Sequence, residues 1–392
     1  MFFFIQAALL LSACGEVGGN GRPAPIKVGA IFDLTGATAD AGKPYSEGIV
    51  AYVEWRNASG GINGHPIELF SADYASKVEV AEQLYARFVQ SGVVAIIGWD
   101  QIDTEALQLK IPVDKIPFMS AYYSDSLLDP GQAPYNFLVG TPDSDQALIA
   151  LRWAGEDWEA GGGAGLAKVA YFHHDSPFGR SPIPDAEAYA RAYNIELITL
   201  PMPNEATHYL AELAQAQQFG VGYIIVHTPS SSAAVLAEDI TTLGMQDKVM
   251  VINLNWCADE IFIDLAGDAA EGVYGTMPFS PPSSPVPGHE DADNWLKNKG
   301  SNLAEKGLRF TQGWWTVAVM SEGIKRVLDE GKEVNGENIR AALETVQNYD
   351  TQGVTVPITF SPSSHQGNNA LRLYVVEGGR WVQVTDFISA IR

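Results

Sequence analysis

The sequence predicts an α/β fold with two doubly wound α/β sheets. Short apolar runs recur along the chain and are nearly continuous rather than alternating, as parallel strands buried on both faces require. Stretches with helical spacing, such as "EGIVAYVEWRNA" and "VEVAEQLYARFVQ", separate these runs. Repeated alternation of strand and helix is typical of doubly wound sheets, and 392 residues supply enough strands for two of them.

Nine apolar runs are predicted as strands. They are "IKVGAIF" (26–32), "IELFSAD" (67–73), "VVAIIGW" (93–99), "IPFMSAYY" (116–123), "KVAYFHH" (168–174), "IELITL" (195–200), "YIIVHT" (223–228), "VMVINLN" (249–255) and "GVYGTMPF" (272–279). Prolines between 277 and 288 exclude regular structure there. Beyond them the sequence predicts helices that cover a sheet, and then an alternating pair, "VTVPITF" and "ALRLYVVEGGRWVQV", with a turn at 377–379 in the second member.

The leading segment indicates export and a lipid anchor. Residues 1–13 are apolar and uncharged but too short to span a bilayer as a helix, which takes about 20 residues, so they are interpreted as a signal segment. The stretch Leu11–Cys14 resembles the lipobox of bacterial lipoproteins, which implies that Cys14 carries a lipid. Residues 14–25 would then be the lipidated cysteine and a flexible linker. A chance cysteine in an ordinary cleaved signal is the alternative.

Composition and motifs exclude several function classes. Lys and Arg total 24 against 47 Asp and Glu, and a net charge of −23 repels nucleic acid and anionic lipid headgroups. Two cysteines rule out a disulfide framework. The chain has no phosphate-binding GxxxxGK[ST] loop, no G-x-S-x-G elbow and no H-E-x-x-H pair, and the adjacent His173 and His174 point to opposite faces of a strand. We therefore expect neither an enzyme nor a bound metal or cofactor.

A ligand is expected at the loops that follow the strands, because parallel sheets bind ligands at the carboxyl ends of their strands. These loops carry aromatics, hydroxyls and exposed amides. Thr104, residues 124–126 and residues 230–232 lie where helices are predicted to begin, and a helix N-terminus favours an anion such as a carboxylate.

Several separated stretches also carry a family resemblance. They are "IKVGAIFDLTGATADAGKPYSEGIVAYVEWRNASGGINGHPIEL", "DKIPFMSAYYSDSLLD", "KVAYFHHDSPFGRS", "IDLAGDAAEGVYGTMPF" and "ITFSPSSHQG". In this order and spacing the chain, over roughly residues 26–385, resembles the periplasmic solute-binding proteins of branched-chain amino-acid ABC transporters, which have the type I periplasmic binding protein architecture.

The resemblance implies two α/β lobes joined by three crossover segments. Lobe 1 would combine residues 26–139 with 280–350, and lobe 2 would combine 140–279 with 351–392. The lobes would close on a small solute that passes to a membrane permease.

The family's ligand positions fall on specific residues here. The turn Trp99–Thr104 lacks the serines that hold a ligand carboxylate in the family, whereas Tyr122–Ser124 keeps a hydroxyl and adjacent amides. Ala41 stands where a bulky aromatic is frequent, which implies a roomier pocket. The ligand-binding set implied is Ala41, Trp99, Asp100, Gln101, Thr104, Tyr122, Tyr123, Ser124, Phe178, His227, Thr228, Asn255, Trp256 and Trp314.

Asn255 stands at the position where the family has an acidic partner for the ligand's amino group. Because an unpaired buried ammonium is costly, Asn255 argues against an α-amino-acid ligand, unless Asp100, Asp103 or Asp259 substitutes. The aromatic residues near the predicted cleft favour a flat or larger apolar ligand, and ordinary core packing is their alternative role.

We predict a monomeric periplasmic or cell-surface receptor of an ABC importer, held at the membrane only by its lipid. Its ligand would be an amino acid, an amide or an aromatic or branched carboxylic acid, and its partners the permease and ATPase subunits. Binding would shift the population toward the closed form. The alternative is a periplasmic sensor of the same fold that acts on a signalling partner.

Overall fold

Two separate sheets organise the protein. The computed structural model describes residues 23–204 and 206–391, so the signal segment, Cys14 and residues 15–22 of the predicted linker lie outside the described residues. The first sheet is parallel throughout, in the order β2-β1-β3-β4. Its strands are β1 (Ile26–Phe32), β2 (Ile67–Asp73), β3 (Ala95–Ile97) and β4 (Phe118–Met119).

The helices of this first part follow its strands. They are α1 (Ala39–Ala58), α2 (Val78–Gln90), α3 (Gln101–Leu107) and α4 (Ile111–Asp114). The start of α3 is fixed by a capping box, in which Asp100 accepts from the Ile102 amide and Asp103 accepts from the Asp100 amide. This cap turns the chain sharply after β3 and places the N-terminus of α3 at the carboxyl edge of the sheet.

The second sheet has the order β11-β10-β9-β8-β7-β5-β6, and β12 pairs with β10. Its strands are β5 (Ala167–His174), β6 (Ile195–Met202), β7 (Tyr223–His227), β8 (Met250–Asn253), β9 (Tyr274–Met277), β10 (Ala370–Val376), β11 (Trp381–Gln383) and β12 (Ile388–Ser389). The pairs among β5 to β9 are parallel, and β10 is antiparallel to both of its neighbours. Two sheets built largely of parallel strands confirm the predicted α/β class.

One predicted strand is wrong. Residues 354–360, "VTVPITF", form only an isolated bridge between Tyr349 and Ile358. Pro357 has no N–H to give to a ladder. Thr351 also folds the segment back on itself, because its hydroxyl bonds the Thr355 hydroxyl and accepts from the Thr355 amide.

The remaining helices divide between the two sheets. They are α5 (Asp143–Ala160), α6 (Pro177–Arg180), α7 (Ile183–Ala192), α8 (Leu210–Phe219), α9 (Ser230–Thr242), α10 (Glu260–Ala266), α11 (Glu290–Lys297), α12 (Leu303–Asp329) and α13 (Gly336–Leu343). Helix α12 packs on α1, and α11 and α13 pack on α12. Gly48 permits the close approach of α1 to α12, since a Cβ there would lie 2.1 Å from the Phe310 carbonyl oxygen.

We call the body around the first sheet, with α1–α4 and α11–α13, the first lobe, and the body around the second sheet the second lobe. The chain passes between them after β4, after β9 and before β10. The residue limits given above for the lobes stay a prediction. In the described part of the chain, no helix is both long and apolar enough to cross a membrane.

Candidate ligand site between the lobes

Loops at the carboxyl ends of strands from both lobes enclose a cavity of about 630 Å³. The first lobe contributes the loop after β1, the start of α3 and Tyr122. The second lobe contributes the α6 turn, the start of α9 and Trp256. The cavity is lined by Ala37, Thr38, Asp100, Gln101, Ile102, Tyr122, His174, Ser176, Phe178, Asn204, Ala206, Pro229, Ser231, Ser232, Val235 and Trp256.

Trp256 is the centre of an aromatic wall that joins the two lobes. Its ring meets Trp99 of the first lobe edge to face at 5.4 Å and Phe178 of the second lobe at 5.7 Å. The Trp99 indole N–H donates to the Thr38 hydroxyl at 2.8 Å, so its ring orientation is fixed. The Trp256 indole N–H is buried and has no hydrogen-bond partner in the described part of the protein. Aromatic pairs of this geometry favour the closed arrangement of the lobes.

A cluster of buried polar side chains, Asn255, Thr228 and His227, lies next to the aromatic wall, and we call it the buried polar floor. Asn255 is 1% exposed, and neither its Oδ1 nor its Nδ2 has a partner among residues 23–204 and 206–391, although its backbone N–H donates to Gln146 Oε1 at 2.9 Å. The hydroxyl of Thr228 and Nε2 of His227 are likewise unpartnered within the described ranges. His227 Nδ1 bonds the Tyr171 hydroxyl at 2.9 Å, and Phe178 lies 4.1 Å from the His227 ring centre. Buried polar atoms without partners are rare in folded proteins, so this cluster indicates a place for ligand polar groups.

Asp143 completes the floor and was not singled out from the sequence. It is the first residue of α5, it is 1% exposed, and its Oδ1 lies 4.0 Å from His227 Nε2. Its Oδ2 has no hydrogen-bond partner in the parts of the chain that the structure covers. The available sequence signal was its place at the start of the helical stretch that follows "LVGTP". That signal does not reveal which of several acidic residues becomes buried.

Burial disfavours the charged form of both ionisable groups in this floor. Burial raises the pKa of Asp143 well above its ordinary value, and the nearby Asp125 adds to the rise. Burial lowers the pKa of His227 to about 3, so its imidazole is neutral. A ligand group that reaches this floor meets the neutral imidazole of His227 and the unpartnered polar atoms of Asn255 and Thr228.

The three acids that could replace an acid at position 255 already have partners within the protein. Asp103 is occupied by the backbone amides of Trp99 and Asp100, at 2.9 and 2.8 Å. Asp259 is occupied by Arg309. Asp100 lines the cavity, but its Oδ1 already accepts from the Tyr74 hydroxyl at 2.6 Å, and burial raises its pKa.

Five of the fourteen predicted residues line the cavity. Trp99 stacks on the aromatic wall, and Asp100, Gln101, Tyr122, Phe178 and Trp256 line the cavity or wall. His227, Thr228 and Asn255 lie at or just after the ends of β7 and β8 and do not line the cavity themselves. The Tyr122 hydroxyl donates to Glu105 at 2.9 Å.

Other predicted residues are buried close to the cleft but do not line the cavity. Ser124 caps the single turn 125–127, Ala41 lies in the first turn of α1, and Thr104 is buried within α3. The Tyr123 ring packs against Gly140, and its hydroxyl accepts from Gln312 Nε2 at 2.8 Å.

Trp314 does not join the cleft. The face of α12 that carries it turns toward α1, where its ring lies 5.3 Å from both Tyr52 and Trp55. There it lines a separate cavity of about 270 Å³. The position of Trp314 thus follows from helix packing within the first lobe.

Comparisons with known proteins agree with this architecture. Residues 25–380 match the family model described as periplasmic binding protein. A curated relative from Brucella abortus, "Leu/Ile/Val-binding protein homolog 2", is 25% identical over 281 residues, which are 70% of this chain and 72% of the relative.

Two solved structures show the same fold. A branched-chain amino acid ABC transporter protein from Thermus thermophilus, with bound valine, superposes with a TM-score of 0.85 at 24% identity, covering 94% of this chain and 97% of that one. A substrate-binding protein of an ABC transporter from Aeropyrum pernix gives a TM-score of 0.83 at 27% identity, with the same coverage of each chain. The resemblance seen in the sequence and its type I fold are confirmed.

Proposed function

Because this chain belongs to the periplasmic binding protein family, we propose that it is the extracytoplasmic solute receptor of an ABC importer and closes its two lobes on a small ligand. The observation that carries the proposal is the buried polar floor, where Asn255, Thr228 and His227 hold polar atoms without partners among the described residues, next to Phe178 and Trp256, which line the cavity shared by both lobes. A solute that supplies those partners stabilises the closed form more than the open form.

Closure follows from the aromatic wall. Trp99 and Trp256 belong to different lobes and meet only when the lobes are together. A ligand that first binds one lobe adds contacts with the other as the hinge closes, so the closed population rises with ligand concentration. The permease would then distinguish the closed receptor from the open one.

We further propose that the ligand has a carboxylate or carboxamide head, a branched or aromatic tail, and no ammonium group. The indole N–H of Trp256, the amide of Asn255 and the hydroxyl of Thr228 offer hydrogen bonds to such a head. The aromatic wall and Val235 offer an apolar surface to the tail. The relatives named for leucine, isoleucine and valine support a branched tail, and Asn255 argues against the ammonium.

A matched set of solutes tests the ligand class. L-leucine, 4-methylpentanoate and 4-methylpentanamide share one tail and differ at the head, as do L-phenylalanine, 3-phenylpropanoate and 3-phenylpropanamide. A solute that binds only the folded state, at about 100 times its Kd, stabilises the protein by about 2.7 kcal/mol, which a thermal shift detects and calorimetry confirms. We expect shifts with acids or amides. Tight binding of the amino acids alone would contradict the proposal.

The importer role is tested in cells. Deleting the gene should abolish high-affinity uptake of the solute that binds the purified protein, and the deletion should be rescued by the intact chain. Normal uptake in the deletion strain would contradict a transport role.

We propose that the receptor is lipidated at Cys14 and remains near its permease, which raises its local concentration. Cys14 lies outside the described residues. Cys14→Ala should release the protein into the soluble fraction, whereas Cys257→Ala, a change at a buried thiol in the second lobe, should leave it on the membrane. Membrane retention of the Cys14 variant would contradict the anchor.

A further inference from the structure

A buried ion pair joins the lobes beside the cleft. Arg309 lies on α12 of the first lobe and is 1% exposed. Its Nε and Nη2 donate to Asp259 Oδ2 at 3.0 and 2.9 Å, and Asp259 caps α10 of the second lobe. Asp259 Oδ1 accepts from the Ser230 hydroxyl at 2.7 Å and from the Phe262 amide at 3.0 Å. The two charges thus bond each other across the lobes, and Asp259 is bonded further within its own lobe.

The same arginine contacts two residues of the ligand site. Its Nη2 donates to the Asn255 carbonyl at 2.8 Å, and its guanidinium lies 5.2 Å from the centre of the Trp256 ring. Its Nη1 donates to Gln312, which donates in turn to the Tyr123 hydroxyl. A residue of the first lobe therefore fixes the backbone of Asn255 and the ring of Trp256, which belong to the second.

A second interlobe bond lies one residue away. Helix α12 is broken at Gly307, whose φ of 76° and ψ of 179° are not helical, so the segment from Leu308 has its own N-terminus. The Leu308 amide donates to Glu260 Oε2 at 2.7 Å. A carboxylate from the second lobe thus caps a helix of the first, which favours contact between them.

We propose that Arg309 and Asp259 form a latch that holds the lobes closed and positions Asn255 and Trp256 of the ligand site. Opening the lobes separates these charges and exposes them to water. Hydration of the separated charges then offsets much of the lost attraction, so a buried pair of this kind adds little net stability. The latch can therefore favour the closed form and still allow the lobes to open. The proposal rests on the proposed receptor function, since a latch has a role only in a protein that opens and closes.

The test uses variants of the complete protein without added solute, so its result does not depend on the identity of the ligand. Arg309→Gln removes the latch. Arg326→Gln is the matched control, because Arg326 lies on the same helix and pairs with Glu322 within the first lobe. Small-angle X-ray scattering measures the separation of the lobes, and hydrogen exchange measures local opening.

We expect Arg309→Gln to increase the radius of gyration and to speed amide exchange in segments 255–263 and 307–312 about tenfold, with β1 and β7 unchanged. Arg309→Lys keeps the charge but loses the paired donors of the guanidinium. Its radius of gyration and exchange rates should therefore lie between those of the wild type and those of Arg309→Gln. Arg326→Gln should match the wild type. Equal radii and exchange rates for the two glutamine variants would overturn the latch, as would an even acceleration across both sheets.

A double variant distinguishes loss of lobe closure from loss of folding stability. Arg309→Gln with Asp259→Asn leaves no unpaired buried charge, so its melting temperature should recover toward that of the wild type while its radius of gyration stays large. Recovery of both quantities would overturn the proposal. If Arg309→Gln does not fold, Arg309→Lys and the double variant decide the outcome by the same two measurements. A solute that fails to bind would contradict the receptor function and leave these results standing.

Discussion

Asn255→Asp should invert the preference of the site for the head group of its ligand. The change keeps the size of the side chain and replaces a neutral amide with a carboxylate at the bottom of the cleft. In the wild type, burial raises the pKa of Asp143 and so disfavours its carboxylate, and Asp259 is bound to Arg309, so neither acid is a ready ionic partner for an ammonium. The variant supplies that partner.

The size of the effect is worked out for two charges in direct contact. A carboxylate at 255 would lie about 4 Å from a bound ammonium, and at an effective dielectric constant of about 20 this pair contributes about 4 kcal/mol. That energy corresponds to about a thousandfold in the ratio of two dissociation constants. Arg309 reduces the gain, because its guanidinium is already bonded to the carbonyl of residue 255 at 2.8 Å. About a hundredfold is therefore the expected change.

The assay is calorimetric titration of L-leucine and 4-methylpentanoate, which differ only in the ammonium, into both proteins at pH 8. The wild type should prefer the acid, and the variant should prefer the amino acid. Asn298→Asp, an equal change of charge on the surface of the first lobe, should bind like the wild type. The reasoning would be refuted if the affinity ratio for the two solutes were the same in the wild type and Asn255→Asp.

Three further changes separate the roles of the buried residues. Asp143→Asn should leave the Kd for acids and amides nearly unchanged by calorimetry, because burial disfavours the ionised form of this carboxyl and the amide matches its neutral form; a large loss of affinity would contradict this. Tyr123→Ala should lower the free energy of unfolding in urea by about 3–5 kcal/mol, since the ring is fully buried; normal stability with lost binding would contradict this. Burial raises the pKa of Glu260 to about 7, so folding takes up a proton between its ordinary pKa and that value. The melting temperature of the wild type, relative to Glu260→Gln, should therefore fall as pH rises from 5 to 8, and parallel pH profiles would refute the assignment.

The strands and the general place of the site were predictable because they depend on short-range patterns. Continuous apolar runs such as "YIIVHT" can be buried on both faces only as inner strands, and β7 occupies that run. The carboxyl ends of such strands converge, which is why His227 and Asn255 lie on one floor. The family resemblance then predicted which of these strand ends contribute residues to the ligand site.

The parts that were missed depend on contacts between distant segments. Trp314 was expected at the cleft, but α12 packs that face against α1, and no local pattern distinguishes the faces of a helix whose residues 308–321 are all buried. Asp143 resembles other acids at helix starts until the lobes enclose it. Nothing in the sequence around Arg309 indicates that it is buried. Only the fold brings it next to Asp259, which lies fifty residues earlier in the chain.

A crystal structure of the receptor with the best-binding acid or amide would test the proposed function at the level of atoms. We predict an unaltered solute between the lobes, its head about 3 Å from the side chains of Asn255 and Trp256 and its tail against the ring of Phe178. A solute bound outside the cleft, or one chemically changed by the protein, would contradict the proposed function.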